Sequence, residues 1–167
     1  MTDRSLARLD PLGPARMGDV APRDVSHRRA RARCRVSMLP ETTAKVASNA
    51  ITKGDVLGAA RVAGILAAKR TSELIPYCNS VLVSSVSINF TIGDDAVDIE
   101  VTVEAFDRTG VEMEAMTACA VAALTVYDMC KSSDRTMSIS ELQLWEKSGG
   151  RSGTWRRAGA VGGALPF

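Results

Sequence analysis

The side chains able to handle protons or anions fall into three groups. Glu112 and Glu114 stand two positions apart in Gly110-Val111-Glu112-Met113-Glu114-Ala115-Met116-Thr117-Ala118. Asp128 and Lys131 stand three apart further along the same stretch, with Lys53 well before it. Lys147 is followed by Ser148-Gly149-Gly150. The only histidine, His27, sits among arginines, a poor setting for the base of a serine or cysteine hydrolase. Acid–base work therefore falls to carboxylates and lysines. Cys34, Cys78, Cys119 and Cys130 show no C-x-x-C spacing, which argues against structural zinc. Cys119 and Cys130 lie in an apolar helical stretch, where a thiol behaves as a small core residue.

Each group also has a plainer account. Glu112 can complete a helix cap, and Glu114 can favour the positive end of a helix dipole. Asp128 and Lys131 can form a surface helix pair worth about 0.2–0.5 kcal/mol. Lys147 and its glycines can belong to a flexible tail. Spacing by itself leaves both accounts open.

The elements that must position these groups follow from pattern. The chain has 167 residues and 17.8 kDa, 46% hydrophobic and 24% charged, which suits one globular domain. No apolar run approaches the roughly 18–20 residues of a membrane span, and the N-terminus has no apolar signal region. The expected compartment is the cytoplasm. A short strand is predicted over residues 31–39, then one or two helical turns over 41–49. Thr52-Lys53-Gly54-Asp55 resembles a capping box opening a helix over 56–74, which Pro76 stops. The inner face of that helix is rich in small residues (Ala59, Ala60, Ala63, Gly64, Ala67, Ala68) that permit close packing.

Val86, Ile88, Phe90 and Ile92 alternate with polar residues, as do Val97, Ile99, Val101 and Val103. This predicts two half-buried antiparallel strands joined by a turn at Gly93-Asp94-Asp95. A long helix is predicted over 111–131, with Thr109 and Glu112 as a second capping box, and a last strand over 138–145. The segment from Ser148 reads as mobile. The order β-α-β-β-α-β is that of a ferredoxin-like α+β sandwich, with helices on one face of an antiparallel sheet. Its other face, lined by serines, threonines and acids, is either solvated or an interface.

Charge is unevenly spread. Residues 1–35 hold nine arginines against four aspartates, whereas residues 36–150 hold nine basic and fifteen acidic side chains. A basic arm on an acidic body can signal nucleic acid, but aromatics at 4% are too few for a stacking platform. The alternatives are a solvated arm, an arm docked on an acidic neighbouring subunit, or arginines that meet an anionic substrate. The expected organisation is a disordered basic arm (1–14), one domain (15–157) and a disordered tail (158–167).

Longer strings carry a resemblance. Lys53-Gly54-Asp55-Val56, Ala59-Ala60-Arg61-Val62-Ala63-Gly64-Ile65, Ala67-Ala68-Lys69-Arg70-Thr71 and Glu73-Leu74-Ile75-Pro76 resemble the molybdenum cofactor biosynthesis protein C family. So do Thr109-Gly110-Val111-Glu112-Met113-Glu114-Ala115, Ala122-Ala123-Leu124-Thr125-Val126-Tyr127-Asp128-Met129-Cys130-Lys131 and Glu146-Lys147-Ser148-Gly149-Gly150-Arg151-Ser152-Gly153. The likeness runs from about Ala15 to Arg157.

The resemblance implies a cyclic pyranopterin monophosphate synthase, a lyase with a ferredoxin-like subunit. It further implies a hexamer, a trimer of dimers, with active sites between subunits. The implied substrate is cyclised dihydro-GTP supplied by a radical-SAM enzyme, and diphosphate is released. No cofactor is implied, although magnesium can accompany the triphosphate. By the same resemblance, Asp128, Lys53 and Lys131 are catalytic. Tyr77, Cys78, Asn79, Glu112, Met113, Glu114 and Lys147 bind substrate.

One departure stands out: where the family usually reads Leu-Cys-His-Pro, this chain has Tyr77-Cys78-Asn79-Ser80. Asparagine keeps a hydrogen bond but cannot titrate near neutrality. Three outcomes stay open: a synthase in which Asn79 binds, a paralogue acting on a related cyclised nucleotide, or a non-catalytic nucleotide-binding assembly subunit. Glu114 and Asp128 lie fourteen positions apart on one predicted helix. That is roughly 21 Å, which favours different subunits as suppliers of one site.

Overall fold

The computed structural model describes residues 17–158. Strands β1 (Ser26–Ser37), β2 (Val83–Ile92), β3 (Ala96–Asp107), β4 (Ser138–Ser148) and β5 (Trp155–Arg156) form one antiparallel sheet in the order β2-β3-β1-β4-β5. Helices α1 (Pro40–Ala47), α2 (Val56–Lys69), α3 (Thr71–Leu74) and α4 (Glu112–Cys130) complete the fold. This is the expected ferredoxin-like α+β arrangement, extended by a short fifth strand. The expected arm lies outside the described residues, as does the tail beyond residue 158.

The core forms where period-two strands meet small helix residues. Ala30, Ala32, Cys34 and Val36 on β1 and Val97, Ile99, Val101 and Val103 on β3 are buried beneath α4. On the facing side of α4, Ala115, Ala118, Cys119, Ala122, Ala123 and Val126 are fully buried. By length and composition α4 could cross a membrane, contrary to the expectation that no run qualifies. Its alanines instead close-pack on the sheet and on α2. At that crossing a Cβ on Gly64 would lie 2.5 Å from Ile88 Cδ1 and 3.0 Å from the Ala118 carbonyl oxygen.

Several boundaries move for local reasons. The N-cap of α2 is Asp55, whose carboxylate accepts from the Gly58 amide at 2.8 Å; Thr52 plays no part. The predicted helix over 56–74 breaks at Arg70. There the Thr71 hydroxyl donates back to the carbonyls of Ala67 and Ala68, each at 3.1 Å. No side chain caps α4, so the second predicted box does not form. The segment after Ser148 is not simply a mobile tail, because β5 pairs with β4 and the Arg157 amide donates to the Trp145 carbonyl at 3.0 Å.

The larger correction concerns the arginines. Arg29, Arg31, Arg33 and Arg35 lie on β1, a central strand, and cover the sheet face away from the helices. Arg35 makes a two-pronged pair with Asp98 at 2.8 and 2.7 Å, and Arg31 reaches Glu146 at 2.7 Å. Arg29 bridges Glu104 and Glu146, and Arg33 pairs with Glu100 while stacking on Trp145. Each arginine meets acids contributed by β3 or β4. Among the described residues, the uneven charge of the sequence thus becomes a charge ladder across three strands.

Candidate active site

The residues singled out in the sequence gather at the two ends of α4. At its C-terminal end, the loop before α2 brings Lys53 against the last turn. Lys53 Nζ donates to Asp128 Oδ2 at 2.7 Å and to the Asp128 carbonyl oxygen at 2.9 Å. Lys131 Nζ donates to the other carboxylate oxygen, Oδ1, at 2.6 Å. Two ammonium groups also suit the negative end of a helix dipole. Hydrogen bonds from Lys131 and Lys53 pull the Asp128 carboxyl down to about 2. Asp128 is therefore a fixed anion at neutral pH. The trio is open to solvent, with about half of each side chain exposed.

At the N-terminal end of α4 lies a cavity of about 400 Å³. Tyr77, Cys78 and Asn79, from the loop before β2, form one wall; Thr109, Gly110, Glu112 and Met113 form a second. Lys147, Ser148, Gly149 and Ser152 close the third side, with Arg23 and Arg28 at the base. Lys147 Nζ donates to the Ser152 hydroxyl.

Glu114 is not part of the cavity lining. It is buried, 2% exposed, behind Cys78, whose thiol donates to Oε1 at 3.7 Å, and its Oε2 has no partner among the described residues. Burial raises the Glu114 pKa, and the neighbouring charges of Glu112 and Asp107 add to the rise. Burial likewise pushes the Cys78 thiol up to about 11, with Glu114 opposing its ionisation, so Cys78 is a poor nucleophile.

Arg28 was missed from the sequence, and so were Arg23 and Ser152. Arg28 lies on the core-facing row of β1, ahead of Ala30 and Ala32, and is 9% exposed. No carboxylate pairs with it among the described residues. Its Nε donates to the Asp107 carbonyl and its Nη2 to the Arg108 carbonyl, each at 3.0 Å. Two backbone carbonyls thus hold a buried cation that no described carboxylate pairs with, although Asp24 lines the adjoining cavity, an arrangement suited to an anion.

The glycines let the chain pass close by. Gly150 has φ +73°, and a Cβ there would sit 1.6 Å from Arg28 Nη1; Gly149 has φ +93° and abuts the His27 carbonyl. A second cavity of about 680 Å³ adjoins the first through the shared Arg23, Arg28 and Ser152, and adds Arg151. The signal for Arg28 was the alternation itself. Extending the strand back from residue 31 puts an arginine where an apolar residue belongs, and a cation in such a place needs a purpose.

The sequence model of the MoaC family matches residues 17–150, a span that contains the trio and every residue lining the cavity of about 400 Å³ except Ser152. The chain belongs to the MoaC family. Among MoaC relatives, the cyclic pyranopterin monophosphate synthase of Thermomicrobium roseum is 56% identical over 154 residues, covering 91% of this chain and 93% of that protein. Cyclic pyranopterin monophosphate synthase 1 of Mycobacterium tuberculosis is 51% identical over 161 residues, covering 95% of each. The synthase of Streptomyces griseus is 47% identical over 161 residues, covering 96% of this chain and 91% of that protein. The MoaC assignment agrees with the resemblance carried by the sequence motifs.

Proposed function

We propose that this chain converts cyclised dihydro-GTP (3′,8-cyclo-7,8-dihydroguanosine triphosphate) to cyclic pyranopterin monophosphate, releasing diphosphate, in molybdenum cofactor biosynthesis. The observation that carries this reading is the trio at the end of α4, two ammonium groups held on one ionised carboxylate. Relatives bearing the synthase name support the product, cyclic pyranopterin monophosphate.

The division of labour follows from the chemistry. Closing a cyclic phosphate forms a bond from a substrate hydroxyl to the α-phosphorus and breaks the bond to the β-phosphate oxygen. The attacking hydroxyl must lose a proton, and the ring rearrangement must move others. Asp128, ionised down to about pH 2, orients the two lysines rather than donating protons. Lys53 and Lys131 carry the proton transfers. Arg28, Arg23 and Lys147 answer the triphosphate charge, while Tyr77, Cys78, Asn79, Glu112 and Met113 enclose the purine-derived part. Glu114 positions Cys78 from behind. The reading requires no resident cofactor; a magnesium ion would arrive with the triphosphate.

The two clusters sit at opposite ends of one helix, roughly 20 Å apart. We therefore assign each active site to two copies of the chain, one giving the trio and the other the cavity, within a hexamer. Exposed apolar side chains on the helix layer, Val62 and Leu66 on α2 and Leu124 on α4, support burial against another copy.

The test is a coupled assay with freshly made cyclised dihydro-GTP, reading diphosphate release and pterin fluorescence after oxidation. Wild-type protein should turn over and Lys53→Ala should not. Mixing Lys53→Ala with Arg28→Ala subunits should restore turnover at substrate concentrations far below the raised KM of Arg28→Ala, where neither variant alone turns over appreciably. A monomer with full turnover would overturn the shared site, and no turnover by the wild type would overturn the activity.

A further inference from the structure

Cys34 and Cys119 come from distant parts of the chain and meet in the core. Cys34 lies on the core-facing row of β1 and Cys119 near the middle of α4. Their sulfur atoms are 3.1 Å apart. Cys34 Sγ also faces the Cys119 carbonyl oxygen at 3.6 Å, and Cys119 Sγ faces the Ile99 carbonyl oxygen at 3.9 Å. Both residues are free thiols, 3% and 0% exposed. An isolated core cysteine serves as a small apolar filler. Two that face each other across a strand–helix contact can do more, because a disulfide needs about 2.05 Å between sulfurs.

We propose that Cys34 and Cys119 form a latent dithiol that closes to an internal disulfide under peroxide, pinning the middle of α4 to β1. This inference is independent of the proposed activity. The chemistry balances with one peroxide. A thiolate attacks a peroxide oxygen, the O–O bond breaks, and a sulfenic acid forms with loss of water. The second sulfur then attacks the sulfenic sulfur, the S–S bond forms, the S–O bond breaks, and a second water leaves. The two sulfurs are oxidised and the peroxide is reduced.

Burial governs how this runs. The hydrogen bond to Cys34, together with burial, holds the Cys119 thiol well above its ordinary range, so reaction waits on local opening. Once one sulfur is oxidised, its partner is already in contact. Capture as a disulfide therefore precedes further oxidation to sulfinic acid. Closure spans a loop of more than eighty residues, which restricts the unfolded chain far more than the folded one.

The experiment uses the full-length protein, treated in its native state with hydrogen peroxide, then denatured, alkylated and digested for mass spectrometry. The Cys34 and Cys119 peptides should be recovered joined, two hydrogens lighter than their sum, and be separated again by dithiothreitol. Cys78 and Cys130 should stay out of any cross-link. The closed form should melt about 5 °C or more above the reduced form. Cys119→Ala and Cys34→Ala should each abolish both the joined peptide and the shift. Recovery of both cysteines as alkylated thiols at every dose the fold survives would overturn the proposal. Sulfinic acid on either in place of a cross-link would do the same, as would a joined pair with an unchanged melting temperature.

Discussion

Replacing Arg28 with alanine tests the anion-binding reading most directly. The guanidinium has three nitrogens, and the structure spends two of them: Nε on the Asp107 carbonyl and Nη2 on the Arg108 carbonyl, both at 3.0 Å. The remaining edge, Nη1, lies beside Gly150 at the junction of the two cavities. A hydrogen bond from a charged donor contributes about 1.5–3 kcal/mol. Losing one such contact to a phosphate should raise KM for cyclised dihydro-GTP roughly 10- to 150-fold. The trio that moves protons comes from another copy in the proposed site and keeps all its contacts, so kcat should fall much less. Arg28→Ala should also lower stability by about 2–4 kcal/mol, because two carbonyls lose their donor. Arg28→Lys keeps the charge but cannot hold both carbonyls and reach outward, so it should recover only part of KM. The assay is steady-state diphosphate release over a range of substrate concentration, beside denaturant unfolding of each variant. A folded Arg28→Ala protein with unchanged KM would refute the assignment of Arg28 to the triphosphate.

Other substitutions probe the remaining parts. Gly64→Val places methyl groups against the Ala118 carbonyl oxygen, which cannot retreat cheaply, and should cost about 2–3 kcal/mol in urea unfolding at unchanged m-value. Asp128 has a folded pKa of about 2, below the ordinary 3.8, so its stabilisation is complete above about pH 4 and disappears as pH falls towards 2. The melting-temperature gap between wild type and Asp128→Asn should accordingly be constant above pH 4 and narrow below it. Asn79→His adds a titratable group to the cavity wall, and should raise turnover about tenfold or more if the cavity is a synthase pocket. An unchanged rate, with the substrate failing to bind, would instead favour a related cyclised nucleotide.

The order of elements was legible because alternation along β2 and β3 and the small-residue face of α2 are local properties of the chain. The grouping of Lys53 with Asp128 and Lys131 was reachable only through family resemblance. Its geometry depends on a loop folding back against α4, which spacing does not encode. Arg28 illustrates the opposite failure. The strand predicted over 31–39 begins at Ser26 in the structure, so Arg28 fell outside it. Only pairing with acids on β3 and β4 reveals that a run of arginines can be a central strand. The burial of Glu114 and the meeting of Cys34 with Cys119 were hidden for a third reason: burial and mutual contact are properties of the packed molecule, not of either residue's own stretch.

The ladder of arginines and carboxylates also acts as a key for strand alignment. Side chains alternate between the two faces of a strand, so a slip of one residue exchanges the faces. Such a slip in β1 would turn Arg29, Arg31, Arg33 and Arg35 into the apolar interior and strip Glu100, Asp98 and Glu146 of their partners. It would equally swing Arg28 away from the cavity and Cys34 away from Cys119. A nascent chain that pairs its strands out of step therefore meets its error as exposed alanines and stranded charge before any binding pocket exists. The charged face of the sheet thereby decides which arginine reaches the cavity.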